Sequence, residues 1–160
     1  MTEPAIVFRG LSSKRAGALR SGPDANGQSP ERAVSDGEGV PCRHCLHMIE
    51  KGDDYLILAE RPFTTVQPYA EVGPIFLHAR DCMTYDDGSS DLPPVLRDSP
   101  SYLLRGYDEG ERIVYGTGGL VPGEEIVDRA AAILSDPQVC FVHVRSASNN
   151  CWQARIERRA

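Results

Sequence analysis

Short apolar runs broken by turn residues dominate the first two thirds of this chain, and one helical period stands out in the last third. Ala5 to Arg9 (AIVFR) reads as an opening strand, and Ser12 to Leu19 as a brief helix capped by Ser12. From Gly22 to Gly39 the sequence GPDANGQSPERAVSDGEG is dense in Gly, Pro, Asp and Asn, so residues 22–40 are predicted as a long surface loop. Tyr55 to Glu60 (YLILAE) and Ile75 to His78 (IFLH) have strand length and apolarity. Pro62, Pro68 and Pro74 forbid a helix between them. Tyr85 to Pro100 reads as a second loop.

The C-terminal third is more regular. Tyr102 to Tyr107 and Arg112 to Tyr115 flank DEGE and predict a hairpin. Ile126, Val127, Ala130, Ile133 and Leu134 recur at helical spacing, with Glu124 and Glu125 at the positive end of the dipole, predicting a main helix over 123–135. The glycines of YGTGG, Gly116 to Gly119, lack the lysine and hydroxyl of a phosphate loop and read as a turn into that helix. Val139 to Arg145 and Cys151 to Glu157, joined by SASNN, predict a second hairpin. With Arg145 opposite Cys151, one face carries Cys140, Val142, Val144, Trp152, Ala154 and Ile156, and the other His143, Arg145, Cys151 and Gln153. The expected architecture is a single α+β domain over residues 1–160, with antiparallel hairpins, one main helix and a loop-rich N-terminal half.

Composition narrows the function. A chain of 160 residues with 41% hydrophobic and 25% charged positions is long enough to bury a core. A net charge of −6 and a pI near 5.2 repel a phosphate backbone, so nucleic acid is not an expected partner, and a protein or small molecule is. The N-terminus lacks a signal-peptide pattern and no 18-residue apolar stretch occurs, which leads to the expectation of a cytoplasmic protein with no membrane partner. Five cysteines without a secretory signal favour metal binding or reactive thiols over a disulfide framework.

The cysteines and histidines form a pattern. Cys42-x2-Cys45 is followed, with thirty-two residues between, by His78-x3-Cys82. Two such pairs supply a tetrahedral ion, and three thiolates with one imidazole make a closed structural set, so Zn2+ is the expected cofactor and residues 42–82 the zinc-binding segment. One ion would then join the ends of a region poor in regular structure. His47 is a rival to His78, which is preferred for its pairing with Cys82. His44, inside the turn, is expected at the surface. The alternatives are unpaired core thiols, or a thioredoxin-like redox pair, which would have to open a helix after a strand.

A second constellation suggests a cysteine-dependent enzyme. Arg145 opposite Cys151 would favour its thiolate, His143 would move protons, and Asn149 and Asn150 would donate to an oxyanion. The competing reading is an inert strand cysteine, an asparagine turn and an arginine paired with an acid such as Glu157.

The strings PDANGQSPERAVSDGEGVPCRHCL, RPFTTVQPYAEVGPIFLHARDC, YLLRGYDEGERIVYGTG and FVHVRSASNNCWQARIER resemble the domain-of-unknown-function 1203 family from about Gly22 to Arg158. The resemblance implies a small, soluble bacterial protein of unassigned activity. It also implies that the metal pairs belong to one branch, because family members differ at the second cysteine and at the histidine. Cys42 to Cys82 is locally similar to zinc fingers of the poly(ADP-ribose) polymerase type. The departure in the His78-x3-Cys82 gap and the acidic balance restrict what this implies to metal-binding architecture, without DNA binding.

Overall fold

The computed structural model describes residues 3–85 and 90–160. Two antiparallel sheets and two helices build one α+β domain. The larger sheet has the order β1-β8-β7-β5-β6, from β1 (Ile6–Arg9), β5 (Ser101–Tyr107), β6 (Gly119–Pro122), β7 (Phe141–Ser146) and β8 (Trp152–Arg158). The smaller has the order β2-β3-β4, from β2 (Glu31–Val34), β3 (Asp54–Glu60) and β4 (Gly73–His78). α1 (Ser13–Ser21) follows β1, and α2 (Ile126–Leu134) lies between β6 and β7. No helix among the described residues is long and apolar enough to cross a membrane.

Each face of the larger sheet has its own core. On one, α2 turns Ile126, Ala130, Ile133 and Leu134 inward at helical spacing onto Phe8, Leu104, Val142, Val144, Ala154 and Ile156. On the other side, α1 contributes Ala16 and Leu19 to a cluster with Leu56 and Leu58 of β3, Ile75 and Leu77 of β4, and Trp152. β3 alternates to do this, burying Leu56, Leu58 and Glu60, and its pairs Leu56 with Leu77 and Leu58 with Ile75 share the buried face. Ser12 caps α1 as the sequence reading expects, accepting from the Arg15 amide at 3.1 Å.

Four expectations need correction. The predicted loop over 22–40 contains β2, whose ERAV side chains lie along an outer edge and so carry no burial period to read. Arg112 to Tyr115 is not a strand: the partner of β5 is β6, in register Ser101 with Pro122, and Ile113 makes only an isolated bridge to Tyr107. The DEGE segment is held by its own turn, where the Asp108 amide bonds Arg112 O at 2.9 Å and Glu111 has a φ of 61°. The main helix is shorter than 123–135, since Gly123–Glu125 forms a 3-10 turn before it.

The fourth correction concerns the last hairpin. Val142 pairs with Ile156, His143 with Arg155 and Val144 with Ala154, but Arg145 pairs with Trp152 rather than Cys151. The irregularity between Val144 and Arg145 is a bulge, with Trp152 and Gln153 spanning one step of β7. Its consequence is that Trp152 leaves the α2 face and joins His143 on the other. Cys140 is exposed, and the buried residue before β7 is Val139. The predicted Tyr85 to Pro100 loop includes a 3-10 turn at Pro94–Arg97, and its residues 86–89 lie outside the described residues.

Candidate metal centre

Cys42 and Cys45 sit in a tight turn enclosed by a bridge between Pro41 and Met48, and the turn does not open a helix. The Leu46 amide closes it onto Cys42 O at 3.0 Å, and the Cys42 amide bonds His47 O at 3.0 Å. Leu46 takes a φ of 56°, a left-handed conformation that costs a leucine about 1–2 kcal/mol. Its side chain is fully buried in the α2 core, which offsets that strain and fixes the turn against the larger sheet. The Arg43 amide, bonded to Phe76 O at 3.1 Å, ties the turn to β4. His78 ends β4, and Cys82 follows four residues on.

This arrangement brings the two distant pairs together. One ligand atom from each of Cys42, Cys45, His78 and Cys82 lies within 4.8 Å of the other three. The Sγ atoms of Cys42 and Cys82 are 3.8 Å apart, and Cys45 Sγ is 3.6 Å from His78 Nδ1. A tetrahedral ion with bonds of about 2.3 Å to sulfur and about 2.0–2.1 Å to nitrogen needs edges of about 3.8 Å and about 3.5 Å. The two separations are therefore compatible with two edges of such a coordination shell. They are too long for a disulfide, and all five cysteines are free.

Donors surround the sulfurs. Arg20 Nη2 donates to Cys82 Sγ at 3.2 Å, and Arg20 Nε to His78 O at 2.9 Å. The His78 amide points at Cys42 Sγ, 3.4 Å away. His44 Nδ1 is 3.1 Å from Cys82 Sγ, and its Nε2 is 3.0 Å from Ser13 Oγ. A thiolate can only accept, so beside a thiolate His44 carries its proton on Nδ1 and Ser13 donates to Nε2. Within the cluster, hydrogen bonds from Cys45 and Cys82 push the Cys42 thiol down, and their bonds to Cys42 push both of them up. A divalent charge among them would ionise all three.

Two histidine expectations resolve differently. His78 belongs to the cluster, and His47 is exposed, with its ring beside Tyr85 at 6.5 Å. His44 is not at the surface as expected but 1% exposed, because the turn leans on the start of α1. Gly10 permits that approach: a Cβ there would meet Arg43 O and His44 O, each at 2.6 Å.

The second constellation comes together in part: Arg145, Asn149, Asn150 and Cys151 line one cavity, and His143 lines another. Arg145 is buried and donates to Asn150 Oδ1 at 2.8 Å and Glu71 Oε2 at 3.0 Å, so its charge is answered by Glu71 rather than Glu157 or a thiolate. Cys151 Sγ lies 3.7 Å from Asn149 O, and the cysteine faces a different cavity from His143. His143 is fully buried in a ring of Phe63, Tyr107, Phe141 and Trp152, with centroids 5.0 to 5.7 Å away. Burial, reinforced by the charges of Arg155, Arg145 and Arg105, pushes its imidazole well below the usual range. Sequence reasoning missed the partners Glu71, Arg20 and His44 because all three come from elements whose approach only the tertiary fold creates.

A family described as protein of unknown function (DUF1203) matches residues 39–158. The chain belongs to the DUF1203 family. The match starts at the metal-site turn, seventeen residues after the start expected from the sequence, and takes in the four clustered ligands and both C-terminal strands. No curated protein and no solved structure matches the chain.

Proposed function

We propose that this DUF1203 protein is a structural zinc protein, a binding or interaction module, in which Cys42, Cys45, Cys82 and His78 Nδ1 hold one Zn2+. The observation that carries the reading is the pair of ligand separations, 3.8 Å between thiols and 3.6 Å between thiol and imidazole, which suit a tetrahedral zinc. Three thiolates and an imidazole favour zinc over harder cations. With four protein ligands no position stays open for a substrate, so the ion would act as a cross-link and supply folding energy. The shell of −3 against +2 leaves one negative charge, and the Arg20 guanidinium beside Cys82 offsets it. The ion would join the Cys42 turn, the end of β4 and, through His44 and Ser13, the start of α1.

Free thiolates of this kind suit a reducing compartment, which supports a cytoplasmic location. The net charge of −6 argues against nucleic acid and leaves a protein or small molecule as the partner. For the alternative, an enzyme using Cys151 with Arg145 and His143, the first two share a cavity and His143 lines a different one.

Elemental analysis of protein prepared without added metal tests the proposal. About one zinc per chain is expected, retained in Cys151→Ser and His47→Ala and lost in Cys82→Ser and His78→Ala. Chelation is expected to remove the ion together with the near-UV circular dichroism of the packed core. A well-folded preparation with no zinc, or a His47→Ala variant that loses it while His78→Ala keeps it, refutes the assignment.

A further inference from the structure

A cavity of about 590 Å3 opens between the larger sheet and the N-terminal half, and none of the four clustered ligands lines it. Its floor is the face of β7 and β8 opposite α2. Its walls are the linker between β1 and α1 and the residues that follow β3. Among the described residues, three side chains on this lining hold buried nitrogens without a hydrogen-bond partner: His143 at both ring positions, Trp152 Nε1 and Arg61 Nε. Buried polar atoms are nearly always paired, because burial strips their hydration and only a partner replaces it. Four such atoms behind one cavity wall make that wall polar, and of the three side chains Arg61 alone carries a charge.

Charge says which kind of ligand the cavity suits. Four arginines and two glutamates line the cavity. Arg15 and the fully buried Glu60 satisfy each other through a two-pronged pair at 2.6 and 2.8 Å, and Glu157 is shared by Arg9 at 3.3 Å and Arg155 at 2.6 Å. Arg61 has no carboxylate partner among the described residues. With Arg9, Arg15 and Arg155 already paired, Arg61 is, among the described residues, the one lining arginine left for an anion, and a single carboxylate matches its single charge better than a multiply charged group. Leu11, Pro62, Phe63 and Trp152 supply apolar and ring surface for the body of the ligand.

We propose that this cavity binds a small aromatic carboxylate, with the carboxylate drawn to the Arg61 guanidinium and the ring laid against Phe63 and Trp152. The fully buried His143 packs beneath both rings, 5.0 Å from Phe63 and 5.7 Å from Trp152, and sets the shape of that wall. This gives the binding module its ligand class and rests on that reading, while the cavity shares no ligand residue with the metal centre.

Trp152 is the single tryptophan of the chain, so its emission reports on the cavity directly. Sodium benzoate is the probe, with benzamide and inorganic phosphate as comparisons, followed by fluorescence and by calorimetry on the zinc-loaded protein. Saturable benzoate binding is expected, with benzamide and phosphate weaker and with Arg61→Ala weakened about tenfold or more, the loss that accompanies one charge-assisted hydrogen bond. His143→Phe provides a second variant and is expected to weaken benzoate while leaving the zinc content intact. No saturable binding in either measurement, benzamide binding as tightly as benzoate, phosphate binding more tightly, or an unchanged Arg61→Ala affinity overturns the proposal. Zinc measured on the same samples separates the readings: benzoate binding without zinc removes only the metal assignment, and zinc without benzoate binding removes only the ligand class.

Discussion

Gly10→Ala is a severe test of how the metal turn is seated. A Cβ at position 10 would lie 2.6 Å from two backbone carbonyl oxygens, Arg43 O and His44 O, where ordinary contact begins at 3.4 Å. The linker or the turn must therefore retreat by roughly 0.8 Å, and neither is a flexible side chain that can swing aside. The retreat stretches the bond from the Leu11 amide to Arg43 O, now 2.7 Å, and the contact of Ser13 Oγ with His44 Nε2, now 3.0 Å. Overpacking costs about 1–3 kcal/mol and a weakened hydrogen bond about 1 kcal/mol, so a total of about 2–4 kcal/mol is expected. For a chain of this size that corresponds to a fall in Tm of about 4–16 °C. Gly17→Ala is the matched control: it sits in α1 with nothing within 4 Å of its Cβ. The same methyl there is expected to stabilise by about 0.5–1 kcal/mol, because alanine loses less backbone entropy in a helix. Thermal denaturation of both variants followed by circular dichroism checks the pair. A Gly10→Ala protein that melts with the wild type would refute the close approach of linker and turn, and with it the bracing of α1 by His44.

Two further outcomes follow from burial and charge. Thiol counting with an aromatic disulfide reagent is expected to titrate Cys140 and Cys151 in the metal-loaded protein, and all five cysteines after chelation; five reactive thiols before chelation would count against a closed centre. His143 is held neutral by burial, with a folded pKa well below its unfolded value, so the unfolded chain takes up a proton first as pH falls. Its contribution to stability is therefore complete above about pH 6.5 and drains at about 1.4 kcal/mol per pH unit below it, until the folded pKa is reached. Denaturant unfolding of wild type and His143→Phe between pH 7 and 5 should show a shallower decline in the variant, and parallel declines would contradict the neutral, buried imidazole.

The fold was legible where burial has a period. α2 declares itself by Ile126, Ala130, Ile133 and Leu134, and β3 by the alternation of YLILAE, because each has one face turned to a core. β2 was not legible, since its exposed ERAV side chains carry no such signal, and β6 was displaced by the more strand-like RIVY, which the DEGE turn diverts after one bridge. The hairpin of β7 and β8 was read with the correct strands but the wrong register: the connection is one residue longer, so Arg145 meets Trp152, and a bulge then adds one more residue, neither of which marks composition.

Taken alone, the order of residues determined the ligand types and their pairing: a cysteine pair two residues apart and a histidine and cysteine three apart can each bite one ion from a local turn, whatever lies between. Only the tertiary structure decided that the two pairs meet, that His78 rather than His47 joins them, and that Arg20 and His44 answer the sulfur charge. It also decided that Arg145 is spent on Glu71 and that His143, Trp152 and Arg61 face one cavity. The reason is physical: bite distance within a turn is set by a few backbone dihedrals, whereas convergence across tens of residues depends on sheet register and packing, which no local spacing encodes.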